Sequence, residues 1–278
     1  MFDTTQQEVL DSVRRALDED IGSGDVTTEL TVAADRVASG AFYAREPMIV
    51  AGTELLPVIY QMRGGVKSIE LWKQSGDRAR NDECIARVRG SARTLLTCER
   101  TALNFMQRLS GVATLASQFA AAVAGTKCKV LDTRKTTPGL RTLEKMAAAA
   151  GGITNHRKGL FDAILIKNNH ITAAGGVRAA LAAVEGQTIP VEIEVRTLDE
   201  LDEALECGAQ RLLLDNLTPA QAREWIARIG GRATVELSGG ITLSTARAYA
   251  EAGADFLSAG AITHSAHALD INFRLALE

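Results

Sequence analysis

Residues 191–216 read VEIEVRTLDELDEALECGAQRLLLDN. Two short apolar runs, 191–195 and 211–214, enclose a helical pattern over 198–207. Runs of this length read as strands, and a helix between two of them makes a βαβ unit. Gly208 stands where the helix must end, and Ala209 opens the turn into the next strand. The device recurs later in the chain: ECGAQ at 206–210 is matched by EAGAD at 251–255.

Outward from this unit the rhythm persists. Strands are expected at 129–132, 163–166, 234–237 and 255–258, with helices at 141–150, 175–185, 218–229 and 242–252. Alternating βα units imply parallel strands joined by right-handed crossovers. A barrel and an open doubly wound sheet both satisfy that rule. Six strands fall short of a complete eightfold barrel, which needs ~250 residues. No GxGxxG turn follows the first of these strands, which weakens a dinucleotide-binding sheet. An incomplete barrel fits best.

The first third has another texture. Val9, Leu10, Val13 and Leu17 give an amphipathic helix over 5–20, and Gly22-Ser23-Gly24-Asp25 gives a turn. Strands are expected over 36–51, interrupted at Pro47, and at 66–73 and 84–89, with a short helix over 53–63. This mixture suits an α+β unit. A long Ala-, Leu- and Thr-rich helical stretch follows over 91–124, with a break expected at Ser110-Gly111. Two domains are therefore expected: an N-terminal α+β sandwich over 1–110, and an α/β barrel over 111–278 whose C-terminal tail packs back on the first.

Composition narrows the function. Lys and Arg number 31 against 34 Asp and Glu, so the net charge of −3 favours neither nucleic acid nor a membrane surface. Seven Phe, two Trp and three Tyr are too few for base-stacking platforms. Cys84, Cys98, Cys128 and Cys207 show no CxxC or zinc-ligand spacing. The N-terminus lacks the apolar core of a signal peptide, and no run approaches the ~18 apolar residues of a membrane span. A cytoplasmic protein is the expectation.

Nearly every expected strand runs straight into residues capable of chemistry. KVLD leads to Thr133-Arg134-Lys135, AILI to Lys167, VEI to Glu194, RLLL to Asp215, VEL to Ser238-Gly239-Gly240, and FLSA to Gly260. In parallel α/β folds those ends share the face that carries the active site. Arg134, Lys135, Lys167, His156 and Arg157, with Arg100 from the long helix, make a local cation cluster suited to a multiply anionic ligand. Glu194 and Asp215 would repel such a ligand alone. They make sense as Mg²⁺ partners, directly or through water, or as stabilisers of positive charge on a sugar ring. Ser238-Gly239-Gly240 before a helix, and Gly260 on the next loop, suit a phosphate. His264 beside that loop reads as a phosphate contact. With His267 three residues on and no third ligand nearby, it does not read as a metal site.

Taken in order, ERTALN (99–104), DTRKTTPGLR (132–141), NHR (155–157), LIKNNH (165–170), VEIE (191–194), LLDN (213–216), SGG (238–240) and GAITHS (260–265) resemble quinolinate phosphoribosyltransferase, the nicotinate-nucleotide pyrophosphorylase family. The resemblance spans essentially the whole chain. It implies an N-terminal α/β domain, an incomplete barrel of about seven strands, and a homodimer or higher assembly with sites at the subunit interface. It also implies transfer of the phosphoribosyl group of 5-phosphoribosyl-1-pyrophosphate (PRPP) to quinolinate with decarboxylation, a step of NAD biosynthesis, with Mg²⁺ as cofactor. Arg134, His156, Arg157 and Lys167, with Thr133, then bind quinolinate, and Lys135 lies at the boundary to PRPP. Arg100 reaches in from the neighbouring subunit. Lys135, Glu194 and Asp215 carry the chemistry at the ribose and Mg²⁺. Ser238, Gly239, Gly240, Gly260 and His264 take the phosphate side. Asn168 and Lys158 depart from the family pattern, which more often has an acid and an apolar residue there. Two other readings accompany this one: the relative encoded with molybdate-transport genes, and a non-catalytic protein that binds an anionic metabolite.

Overall fold

A computed structural model describes residues 2–277. The chain folds as two compact units. One holds the residues up to 117, 136–152 and those from 262 onward; the other holds 118–135 and 153–261.

The first unit begins with helices α1 (Gln7–Ile21) and α2 (Val26–Thr31). Val9, Val13 and Leu17 form the buried stripe of α1, as their spacing predicts. Helix α2 was not expected. Asp25, read only as part of a turn, is its N-cap and accepts the Thr28 N–H at 3.0 Å. Strands β1 (Val37–Ala44) and β2 (Met48–Ile49), helix α3 (Leu55–Gln61), and strands β3 (Ser68–Leu71), β4 (Arg78–Ala79) and β5 (Cys84–Ser91) follow. Helix α4 (Ala92–Ala122) then runs 31 residues without the break expected at Ser110-Gly111. Those two residues serve packing instead. Ser110 Oγ accepts the Ala51 N–H at 3.0 Å. A Cβ on Gly111 would lie 1.9 Å from the carbonyl oxygen of His267, so only glycine lets the C-terminal segment approach the helix.

The second unit is built on strands β6 (Lys129–Leu131), β7 (Ile164–Ile166), β8 (Val191–Val195), β9 (Arg211–Asp215), β10 (Thr234–Ser238) and β11 (Phe256–Ser258). Helix α5 (Arg141–Ala150) belongs to the first unit. There the buried Glu144 accepts Arg108 Nη2 at 2.7 Å and Thr137 Oγ1 at 2.7 Å. Helices α6 (Asn168–Ala174), α7 (Val177–Ala182), α8 (Leu198–Glu206), α9 (Pro219–Ile229) and α10 (Leu243–Glu251) alternate with the strands. The helix expected over 175–185 is the shorter α7, and α6 precedes it unexpected. They are separated by Gly175 and Gly176 at φ 89° and 132°. Helix α11 (Ala261–His264) is one turn, so His264 and His267 do not share a helix. Strand β12 (Ile271–Leu277) pairs antiparallel with β1 and completes the first unit's sheet, in the order β12-β1-β5-β3.

The barrel sheet is parallel, in the order β6-β11-β10-β9-β8-β7. Thr154 adds a parallel bridge beside Leu131, a seventh strand position at the edge of β6. Among the described residues no ladder joins β7 to that edge, so the barrel is incomplete. Alternation along the strands divides its residues. Ile193, Val195, Leu212, Leu214, Val235 and Leu237 are buried on one face, where α8 packs on β8. Glu194, Leu213 and Glu236 stand in register on the opposite face, as do Asp215 and Ser238, with Glu192 two residues before Glu194.

Candidate active site

The polar face of the barrel sheet carries the site. At the end of β6, Asp132 is wholly buried. Its Oδ1 accepts the backbone N–H of His156 at 2.8 Å, and its Oδ2 accepts Asn155 Nδ2 at 2.7 Å. One carboxylate thus fixes the loop that delivers His156 and Arg157. Arg157 is braced by its Nη1, which donates to the Ala163 carbonyl at 3.1 Å. Partial burial, followed by the nearby charge of Arg134, makes the Arg157 guanidinium less basic than usual. Asp162 and Glu192 act in the opposite direction on Arg157, and the two neighbouring cations give this end of the sheet a locally positive character.

His156 Nε2 faces Glu236 Oε2 at 3.4 Å and Glu192 Oε2 at 3.6 Å. Both carboxylates are buried, Glu236 to 1% exposure, and neither Glu236 oxygen has a hydrogen bond of good geometry. Nδ1 accepts the Arg157 N–H at 2.7 Å. Burial alone would lower the pKa of His156, but the contacts and charges of Glu192 and Glu236 outweigh it and raise the pKa to about 9. A second ring proton gives up the Arg157 amide, a hydrogen bond worth about 1 kcal/mol net. Each carboxylate is worth about 4 kcal/mol at such distances in a protein's effective dielectric, so the charged form wins. The three ligand atoms lie within 4.8 Å of one another, the spacing of a metal site. The same spacing lets the two carboxylates share a proton held on Nε2.

Lys167 follows β7 directly and is the N-cap of α6; its N–H donates to His170 Nδ1 at 2.9 Å. Asn168, one of the two departures, is the first residue of α6. The other, Lys158, lies on the loop whose amides at 158 and 159 donate to Asp162 at 2.6 and 3.0 Å. Thr133 Oγ1 accepts the Lys135 N–H at 3.1 Å, and the Lys135 side chain is exposed.

Glu194 ends its strand buried, and Asp215 ends the next strand half-buried. Arg196 spans them, with Nη2 3.0 Å from Glu194 Oε1 and 3.9 Å from Asp215 Oδ2. Asn216 Nδ2 donates to Asp215 Oδ2 at 2.7 Å, and the Asn216 N–H donates to the Ser238 carbonyl at 2.9 Å. The hard oxygen donors of Glu194 and Asp215 fit Mg²⁺ held with water. Gly239 has φ 92°, and a Cβ there would fall 2.2 Å from Asn216 Oδ1, so glycine is required twice over. Gly240 also has positive φ and precedes the Thr242 cap of α10. Gly260 lies after β11, half-buried. A cavity of about 340 Å³ is lined by His156, Arg157, Asp162, Glu192 and Arg211 among others. A larger hollow of about 690 Å³ lies along Thr188–Val191 and Cys207–Arg211, where β8 and β9 begin, away from these polar strand ends.

The barrel sheet thus brings together Thr133, Arg134, Lys135, His156, Arg157, Lys167, Glu194, Asp215, Ser238, Gly239, Gly240 and Gly260 at its strand ends. Arg100 is exposed on α4, and His264 is exposed at the end of α11, both in the other unit. Sequence reasoning missed Asp132, Glu192, Glu236 and Arg196 as members of the constellation.

Fold and site define a parallel α/β barrel protein whose strand ends carry clustered cations and paired carboxylates. Its chain matches the quinolinate phosphoribosyl transferase N-terminal domain over residues 25–110 and the C-terminal domain over 112–274. It is 42% identical over 273 residues to the nicotinate-nucleotide pyrophosphorylase [carboxylating] of Mycobacterium leprae, covering 95% of this chain and 96% of that one. Among solved structures, NadC from Streptococcus pyogenes superposes with a TM-score of 0.94 at 36% identity, covering 100% of both chains. The nicotinate-nucleotide pyrophosphorylase from Francisella tularensis superposes with a TM-score of 0.92 at 36% identity, over 97% of this chain and 96% of that one. The chain belongs to the quinolinate phosphoribosyltransferase family.

Proposed function

We infer that this protein transfers the phosphoribosyl group of PRPP to quinolinate. The products are nicotinate mononucleotide, pyrophosphate and CO₂. Family membership over both parts of the chain supports the reaction. The observation that carries it to these residues is the cation pair Arg134 and Arg157, held beside His156 on the same sheet as Glu194 and Asp215.

In this reading Arg134, His156, Arg157 and Lys167, with Thr133, hold the two carboxylates of quinolinate, and Lys135 lies at the boundary to PRPP. Alignment by fixed cations removes the entropy cost of bringing two anions together. The pyridine nitrogen attacks the anomeric carbon as the bond to pyrophosphate breaks, and positive charge gathers on the ribose. Glu194 and Asp215 stabilise that charge where it develops. Glu194 and Asp215 would hold Mg²⁺ through water, and the ion would supply positive charge to the pyrophosphate side. Ser238, Gly239, Gly240 and Gly260 give backbone N–H groups to the phosphates. As CO₂ leaves, the electron pair of the broken bond stays on the ring carbon, where the adjacent positive nitrogen stabilises it, and that pair takes up a proton. No covalent protein intermediate is needed.

Arg100 and His264 enter by family resemblance alone, Arg100 from a neighbouring subunit of a homodimer or larger assembly and His264 on the phosphate side. The cytoplasm suits the reaction, and no helix among the described residues is long and apolar enough to cross a membrane. Calorimetric titration tests the binding assignment. Arg134→Ala is expected to weaken quinolinate binding at least 10-fold, the cost of one lost charge-assisted hydrogen bond, and to weaken PRPP binding far less. Unchanged quinolinate affinity would overturn it.

A further inference from the structure

Arg196 is given no role by the mechanism above, yet its side chain lies on the two residues to which that mechanism assigns the ribose and Mg²⁺. Its backbone is pinned: the N–H donates to Glu200 Oε2 at 2.7 Å, while Thr197 Oγ1 caps the same turn of α8 by accepting the Glu200 N–H at 3.2 Å. The side chain turns back, with Nη2 at 3.0 Å from Glu194 Oε1 and 3.9 Å from Asp215 Oδ2. It is 47% exposed, whereas Glu194 is 7% exposed. The two carboxylates thus sit in the protein with a solvent-facing cation already on them. A divalent ion taking oxygen ligands from the same two carboxylates competes for the atoms Arg196 holds.

We propose that Arg196 is a resident counter-ion of the Glu194–Asp215 pair. It lets a buried carboxylate exist without a metal, and a divalent cation must displace it to bind. Arg196 is therefore a positioning residue that sets the cation affinity of the free protein. The proposal rests on the assignment of Glu194 and Asp215 to Mg²⁺. With the guanidinium itself about half exposed, its contact with Glu194 is worth about 1 kcal/mol, so removing it is expected to tighten cation binding by roughly fivefold.

The test is Mn²⁺ titration of the full-length protein, without substrate, followed by water proton relaxation. Wild type, Arg196→Gln, Arg196→Lys, Glu194→Gln and Asp215→Asn are compared. Tighter binding in Arg196→Gln by roughly fivefold, with Arg196→Lys restored to wild-type affinity and both carboxylate variants losing it, is the expected result. Thermal midpoints should not separate the two Arg196 variants, because the pinning of α8 uses the backbone N–H. Equal Mn²⁺ affinity in wild type and Arg196→Gln, with loss in Glu194→Gln, would overturn the role of Arg196 and leave the carboxylate assignment standing. No dependence on Glu194 or Asp215, or no Mn²⁺ binding by any variant, would overturn both.

Discussion

The carboxylate of Asp132, buried at the end of a barrel strand, accepts the backbone N–H of His156 at 2.8 Å. Its second oxygen takes Asn155 Nδ2 at 2.7 Å. A wholly buried side chain thereby determines where the His156-Arg157 loop stands. Asp132→Ala removes the acceptor of both hydrogen bonds, at a cost of about 1–3 kcal/mol. Urea unfolding is expected to show that loss. Steady-state kinetics is expected to show KM for quinolinate raised about tenfold or more, since a shift of ~1 Å in a binding group costs up to ~100-fold, with KM for PRPP nearly unchanged. An equal rise in both constants would contradict a role confined to the cation loop.

The glycine loop after β10 gives a second prediction. Gly239→Ala forces an L-residue to φ 92° and sets its Cβ against Asn216, which is itself bonded to Asp215 and Ser238. The left-handed conformation costs about 1–2 kcal/mol, and overpacking adds about 1–3 kcal/mol. Gly125→Ala is the control, with φ 80° but open space around its Cβ, so it incurs only the first cost. Denaturant midpoints should separate the two, and PRPP affinity should fall in Gly239→Ala alone.

Titration of His156 gives a third. Its folded-state pKa of about 9 lies above the ordinary value of 6.5, so protonation favours the folded form. The stabilisation is complete below about pH 6.5 and is lost as pH rises through about 9. Glu236→Gln removes one of the two charges that raise this pKa. The stability gap between wild type and Glu236→Gln is therefore expected to be widest near pH 6 and to narrow toward about pH 10, read from urea unfolding across that range. A gap that widens with pH would reverse the sign and contradict the trio.

The sequence made the barrel legible because buried parallel strands have to be short and apolar, and helices have to end before them. VEIEV and RLLLD carry that signal without help from tertiary context. Ser110-Gly111 misled for a physical reason. Small residues inside a helix read as a break by propensity, whereas α4 uses them for an amide contact and a close backbone approach. The strand-end cations and Glu194 and Asp215 were legible by position. Glu192 and Glu236 were hidden because their strands were read as wholly apolar. The alternation of Glu192 with Glu194, and Glu236 inside VEL, was the available sign that one sheet face is polar. That Asp132 holds His156, and that Arg196 folds back on its own strand, depends on loop geometry, and no spacing encodes it.

One measurement addresses the central claim directly. Purified protein is mixed with Mg²⁺ and PRPP, with either quinolinate or nicotinate, and nicotinate mononucleotide and CO₂ are followed together. The expected result is product from quinolinate, with CO₂ released in equal amount, and none from nicotinate, because the paired cations recognise both carboxylates. Product from nicotinate without CO₂, or no product from either substrate, would contradict it.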